Sequence, residues 1–238
     1  MIRLYIDNPL SENQQISLGE NQSHYVQKVM RLKQGDDLLL FNGKDGEWKA
    51  RIAGLEKKIT HLSLINQIRP QQVERKLCLL FSPLKPKRQE FLIEKATELG
   101  VSCLWPIRFE RTSILKVNLE KMQAQTREAA EQCGRLTLPE IKDLISLPQL
   151  LKNWPQEEIL VFGDESRTSP SIATTKSDPS KFCNFLVGPE GGFSPQEYTL
   201  LKAHLQAYGV TLNANILRAE TAALVGVSYF KLSGEQSN

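Results

Sequence analysis

Apolar and polar positions are arranged differently in the two halves of the chain. Up to about residue 72, short alternating runs predominate. In "DDLLLFNGKDGEWKARIAGL", Leu38 to Phe41 lead into Asn42-Gly43 and Asp45-Gly46, and Trp48 to Leu55 follow. Both dipeptides tolerate positive φ, so the stretch predicts a hairpin with a short loop. "KITHLSLI" predicts a further strand. "SHYVQKVMRL" reads as a helix, with Ser23 as its cap and Tyr25, Val29 and Leu32 on one face at i, i+4, i+7 spacing. "NQIRPQQVER" then has the polar, proline-marked character of a linker.

From about residue 76 the pattern changes to short apolar runs with little alternation: "LCLLFSPL", "CLWPIRF", "ILVFG", "NFLVG" and "GVTLN". Strands covered on both faces of a mainly parallel sheet read this way. Between them, "KRQEFLIEKATELG", "NLEKMQAQTREAAEQCG" and "SPQEYTLLKAHLQAYG" predict helices closed by Gly100, Gly134 and Gly209. In the second, Leu119, Met122, Ala129 and Cys133 fall near one face, which predicts core packing. Residues 166–182 are too polar and broken for either element and predict a long surface loop. The fold class is therefore α/β, with a β-rich domain over 1–72 and an α/β domain over 73–238.

Length and composition narrow this only a little. At 238 residues the chain buries a core of its own, and 40% hydrophobic with 24% charged residues is ordinary for a globular protein. No apolar run approaches a membrane span and "MIRLYIDNPL" lacks a signal-peptide pattern, which points to the cytoplasm. Cys78, Cys103, Cys133 and Cys183 lie far apart without a C-x-x-C pair, so reduced thiols are expected and no metal. A net charge of +3 is compatible with a nucleic-acid partner and does not establish one.

Candidate chemistry concentrates in two stretches. In "LVGPEGGFSPQEY" a buried strand runs into Gly188-Pro189-Glu190-Gly191-Gly192, and a helix follows with Ser194 as N-cap, Pro195 at N1 and Glu197 at N3. Ligands of open α/β sheets bind at such an edge. The glycines match neither a P-loop nor a dinucleotide fingerprint, and Glu190 would repel phosphate. What stays open is a ligand not led by phosphate, or a turn that needs glycine only for its backbone. The second stretch, "LNANILRAETAALVGVSYF", passes from a strand into a helix rich in small residues. Arg218 sits at the helix end that disfavours a cation, so it is either aimed at a partner or substrate or a solvated charge.

"LVGPEGGFSPQE" with "LNANILRAETAAL" resembles the 16S ribosomal RNA uridine N3-methyltransferases of the SPOUT, or trefoil-knot, superfamily. The similarity extends through "HYVQKVMRLKQGDDLLLFNG", "KRQEFLIEKATELGV" with "ERTS", and "REAAEQCGR", nearly the whole chain in order. It implies an N-terminal PUA-like RNA-binding barrel, a C-terminal knotted domain that binds S-adenosylmethionine, and a homodimer. Where the family usually has Leu-Gly-x-Arg, this chain has Leu212-Asn213-Ala214-Asn215. Asn213 is expected to keep a left-handed turn there, while Asn215 replaces a cation.

The resemblance implies that Gly188, Pro189, Glu190 and Gly191 form one wall of the cofactor site, Leu212, Ile216 and Leu217 another, and Gly163 a third. Bare backbone at Gly188 and Gly191 would let an adenosine approach. Arg218, and after it Arg111, are the cations expected to stabilise charge on the uracil. Glu190 is either a group orienting the proton acceptor or base, or a structural acceptor for loop amides. His24, His61 and His204 all fall outside the cofactor motifs, so no general base is named. For RNA phosphates the candidates are Arg3, Lys28, Arg31, Lys85, Lys87 and Arg88. The alternatives are a SPOUT enzyme for another RNA, or a PUA-like RNA-binding protein without catalysis.

Overall fold

The computed structural model describes residues 1–174 and 183–235. They form two compact units: Met1–Val73 with Ala130–Leu138, and Glu74–Ala129 with the described residues from Pro139 onward. Residues 175–182 of the expected 166–182 loop therefore lie outside the described residues; within 166–174, Ile172–Thr174 form one 3-10 turn.

The first unit is a five-stranded sheet of β1 (Arg3–Tyr5), β2 (Gln15–Leu18), β3 (Asp37–Phe41), β4 (Glu47–Leu55) and β5 (Thr60–Arg69). Their order is β1-β3-β4-β5-β2, with only the β1–β3 pair parallel. The hairpin expected from Asn-Gly and Asp-Gly joins β3 to β4, with Gly43 and Gly46 at φ 79° and 75°. β5 runs on through residues 66–69, which read as linker because the side chains at that end of the strand are exposed. The helix also differs from its pattern. α1 (Glu20–His24) begins before Ser23 and continues as one π turn, Tyr25–Val29. Ser23 is thus no cap: its buried hydroxyl donates to Leu18 O at 3.1 Å and accepts from Thr60 N at 2.9 Å. The wider π spacing turns Val29 off the apolar face and leaves it 57% exposed, while Val26 is fully buried.

A buried acid holds this unit to its distant segment. Glu47 accepts from Arg3 Nε and from Arg69 Nε. The remaining Arg3 nitrogens donate to the carbonyls of Ala130, Glu131 and Arg135, and its guanidinium lies 4.4 Å from the centre of the Phe41 ring. Arg69 donates to Gly134 O at 2.7 Å. Phe41, Ala130 and Leu136 pack together beneath these bonds.

The second unit contains β6 (Leu77–Phe81), α2 (Pro86–Glu98), β7 (Cys103–Arg108), α3 (Leu119–Cys133) up to Ala129, β8 (Glu140–Ile141), β9 (Ile145–Ser146) and α4 (Leu147–Lys152). Then come β10 (Ile159–Gly163), β11 (Cys183–Val187), α5 (Pro195–Ala203), β12 (Ala207–Val210) and α6 (Ala219–Glu235). The sheet order is β12-β10-β11-β6-β7-β8, with β9 also beside β7, and every pair is parallel. Alternate strand residues feed two cores. Leu77, Leu79, Phe81 and Phe185 meet residues of α2 and α6 on one face, while Leu80, Leu160, Phe162 and Leu186 meet α4 and α5 on the other.

Gly100 and Gly134 close α2 and α3 with φ of 78° and 83°. Gly209 does not close α5, which stops at Ala203 because His204 turns extended. Gly209 lies in β12 instead, where a Cβ would come 3.0 Å from the Phe162 ring. In α3, Met122 and Ala129 are buried but Cys133 is exposed, off the expected face. Cys78, Cys103 and Cys133 are free thiols.

Burial pushes the Glu47 carboxyl up, yet the hydrogen bonds from Arg69 and Arg3 outweigh it and hold it below its ordinary value of 4.5. A lowered value in the folded state gives stability that is complete above the unfolded value and lost as pH falls through the folded one. Glu47→Ala should therefore cost about 3 kcal/mol at neutral pH, because it strands the buried Arg3 charge. Melting temperatures measured from pH 7 down to pH 3 should also fall less steeply for the variant. Equal melting at pH 7 would show that the pair contributes nothing.

Candidate functional site

Three loops leave the carboxyl ends of three adjacent strands, β10, β11 and β12, and line one cavity of about 250 Å³. The first begins at Gly163 and Asp164. The buried Asp164 carboxylate accepts from Ser166 N at 2.9 Å, Ser169 Oγ at 2.5 Å and Tyr198 Oη at 3.0 Å. Lys202 Nζ stands 3.3 Å away. Tyr198 Oη also shares hydrogen bonds with the hydroxyls of Ser166 and Thr168, and between them Arg167 takes a left-handed φ of 61°. Sequence reasoning missed Asp164. Its only local signal was an acid directly after an apolar strand.

The second loop is "GPEGGF". Its helix is capped as expected: Ser194 Oγ accepts from Glu197 N, and Glu197 Oε2 accepts from Ser194 N at 2.9 Å. The buried Glu197 also accepts from Glu110 N at 2.7 Å, which ties the loop to "FERTS". Arg111 Nη1 donates to Gly191 O at 2.7 Å, so this arginine supports the loop backbone. The left-handed residue is Gly192, with φ 68°. At Gly188 an added Cβ would come 2.8 Å from the ring of Phe193, which packs against Phe109 and Phe162. Glycine is needed there to seat that ring.

The third loop follows β12. Asn213 is not left-handed, contrary to the expectation; its Oδ1 accepts from Asn215 N at 2.9 Å and closes an Asx turn. Leu212, Ile216, Leu217 and Arg218 line the cavity, and Ile216 is 72% exposed. Among the described residues the Arg218 guanidinium has neither a hydrogen bond nor an ion pair. The small residues of α6 answer partly to the chain's own sheet, since the face of Gly226 lies against the Phe185 ring.

Gly163, Gly188, Pro189 and Glu190 join these four around the cavity, while Gly191 is not part of its lining. Of the proposed phosphate contacts, Lys28, Arg31, Lys85 and Lys87 are exposed, and Arg31 takes a left-handed φ of 55°. Arg3 is engaged as described above. Arg88 lines the cavity and pairs with Glu190. No cluster of His, Cys, Asp and Glu among the described residues could hold a metal, and none of the described helices is long and apolar enough to cross a membrane.

Burial pushes Asp164 up, but the hydrogen bonds from Ser169, Ser166 and Tyr198 bring it down to about 2. The stability it gives is complete above the unfolded value of 3.8 and lost as pH falls toward about 2. Asp164→Asn should cost about 2 kcal/mol at pH 7, since each tenfold change in proton affinity is worth roughly 1.4 kcal/mol. Chemical denaturation at pH 7 and pH 3 should show the gap between variant and wild type narrowing in acid. A gap independent of pH would assign the loss to shape alone.

Comparisons with known proteins agree with this architecture. An RNA methyltransferase domain model matches residues 71–231, and an RNA methyltransferase PUA domain model matches residues 18–65. The ribosomal RNA small subunit methyltransferase E of Rickettsia conorii is 34% identical over 235 residues, covering 98% of this chain and 96% of that protein. The protein of the same name from Neisseria gonorrhoeae, solved bound to S-adenosyl methionine, superposes with a TM-score of 0.89 at 28% identity, covering 98% of this chain and 97% of that one. A Legionella pneumophila chain, solved with the bound cofactor SAM, gives a TM-score of 0.87 at 28% identity, with 97% of each chain covered. With a PUA domain match followed by an RNA methyltransferase domain match, the chain belongs to the ribosomal RNA small subunit methyltransferase E family of RNA methyltransferases.

Proposed function

We propose that the chain transfers the methyl group of S-adenosylmethionine to N3 of a uridine in the 16S ribosomal RNA of the small ribosomal subunit. The observation that carries this reading is the cavity at the ends of β10, β11 and β12, walled by aliphatic side chains and bare backbone and bordered by Arg218, which is unpaired among the described residues. The residues present suit a nucleoside. Leu212, Ile216 and Leu217 offer an apolar wall, and a large aliphatic residue left 72% exposed at Ile216 is a contact waiting for a flat apolar partner. Gly163, Gly188 and Pro189 contribute main-chain groups on the other sides.

When bound, the cofactor supplies a methyl group already activated on a sulfonium, so no metal is required. What remains for the chain is positioning and charge. Holding uracil N3 close to the methyl group contributes several kcal/mol. As N3 loses its proton, negative charge grows on the uracil oxygens, and Arg218 stabilises it. Arg111 acts through the Gly191 carbonyl. Lys28, Arg31, Lys85 and Lys87 take RNA phosphates. The same reading carries a trefoil knot in residues 73–238, a PUA-like RNA-binding domain over 1–72, a cytoplasmic location and a homodimer. Phe91 on α2 and Leu232 on the neighbouring α6 are 45% and 61% exposed, an apolar surface that a second copy would cover.

Purified protein with 16S ribosomal RNA and cofactor should yield N3-methyluridine in a nuclease digest read by mass spectrometry. Arg218→Ala should slow the reaction by about 10²-fold, with calorimetric cofactor affinity nearly unchanged. Equal losses in rate and affinity would reassign Arg218 to cofactor binding, and an unmodified digest from the wild type would end the proposal.

Light scattering at micromolar concentration should give twice the chain mass, and Leu232→Glu should shift the protein toward monomer. A wild-type monomer would remove the dimer from the scheme.

A further inference from the structure

Arg88 lies at the cavity with its guanidinium between two carboxylates. Nη1 donates to Oε1 of Glu190, and Nε stands 3.7 Å from Oε1 of Glu220. The acids come from different elements, the loop after β11 and the first turn of α6. Each keeps a second oxygen. Among the described residues Oε2 of Glu190, a cavity-lining residue, accepts no hydrogen bond, and Oε2 of Glu220 is buried without a partner. An arginine that meets RNA phosphate presents its donors outward, whereas Nη1 and Nε of Arg88 face carboxylates. Glu220 is itself placed well, since a helix N-terminus favours an anion.

We propose that Glu190 takes the N3 proton of the uridine, that Arg88 is the positioning residue that fixes Glu190, and that Glu220 anchors Arg88. This rests on the methyl-transfer reading above. In the step, the N3–H bond breaks and its proton passes to Oε2 of Glu190. The N3 electron pair forms the bond to the methyl carbon, with the pair of the breaking sulfur–methyl bond going to sulfur. Glu190 then returns the proton to water. The clamp on Oε1 leaves a single oxygen, in a fixed direction, for the proton.

The test measures kcat and KM for 16S ribosomal RNA at several salt concentrations, cofactor affinity by calorimetry, and melting of each variant. Glu190→Gln should lower kcat by about 10²-fold or more, with cofactor affinity nearly unchanged. Arg88→Ala should lower kcat with RNA KM unchanged, and Arg88→Lys should restore most of it. The double variant should be no slower than Glu190→Gln alone, because both changes remove one device. If Arg88→Ala melts early, Glu220→Gln carries the test, lowering kcat at constant KM.

A normal kcat in Arg88→Ala, with raised KM and a salt slope shallower by about one, would make Arg88 a phosphate contact and overturn the inference. So would loss of cofactor affinity in Glu190→Gln in proportion to the loss of rate. A wild type that makes no N3-methyluridine overturns the methyl-transfer reading and this one together. An active wild type with either of the preceding results overturns this one alone.

Discussion

A parallel sheet covered by helices on both faces has no free face for a ligand. In the second unit, α2 and α6 occupy one side and α4 and α5 the other, and the strand residues between them are almost completely buried. Binding chemistry is thereby forced to the carboxyl ends of the strands. Since β10, β11 and β12 are neighbours in the sheet though separated in the chain, their three exits converge on one cavity. The rest of the site elaborates that convergence. Asp164 stiffens the first exit, Glu197 and Arg111 the second, and the Asx turn of Asn213 the third.

The charged groups at the cavity divide by whether they are already satisfied. Asp164 is surrounded by donors, and Arg88 faces carboxylates. Arg218 stands without a partner among the described residues. Arg218 is exposed, so water solvates its charge until a ligand group takes the water's place. Satisfied groups set the shape of such a site, and the unsatisfied ones draw its ligand.

Legibility in the sequence followed the range of the interactions. The β3–β4 hairpin, the capping box of α5 and the glycines after α2 and α3 depend on residues only a few positions apart, and all were readable. Ser23 misled because α1 already starts at Glu20, and the serine hydroxyl is bound to Leu18 and to Thr60, the latter 37 residues away in sequence. Residues 66–69 looked like linker because their side chains are exposed, although their backbone is paired with β4. Asp164 had only its place after an apolar strand to mark it, since Tyr198 lies 34 positions further on. Arg3 read as a surface cation for the same reason, its acceptors beginning 44 residues away at Glu47. Gly188 read as a gap for a ligand, where the neighbouring Phe193 ring fills it.

The first unit is discontinuous: Ala130–Leu138 belongs with Met1–Val73. During synthesis on the ribosome the N-terminal strands emerge well before the segment that covers Phe41 and supplies the carbonyls for Arg3. Until residue 138 has left the exit tunnel, Glu47 and its arginines hold only part of their final contacts. Domains made of contiguous sequence fold as they emerge, whereas this one must wait for the chain to come back to it. Completion of the N-terminal unit is thus a late event in the life of the nascent protein, and a fragment cut at residue 73 would carry the sheet without its closing segment.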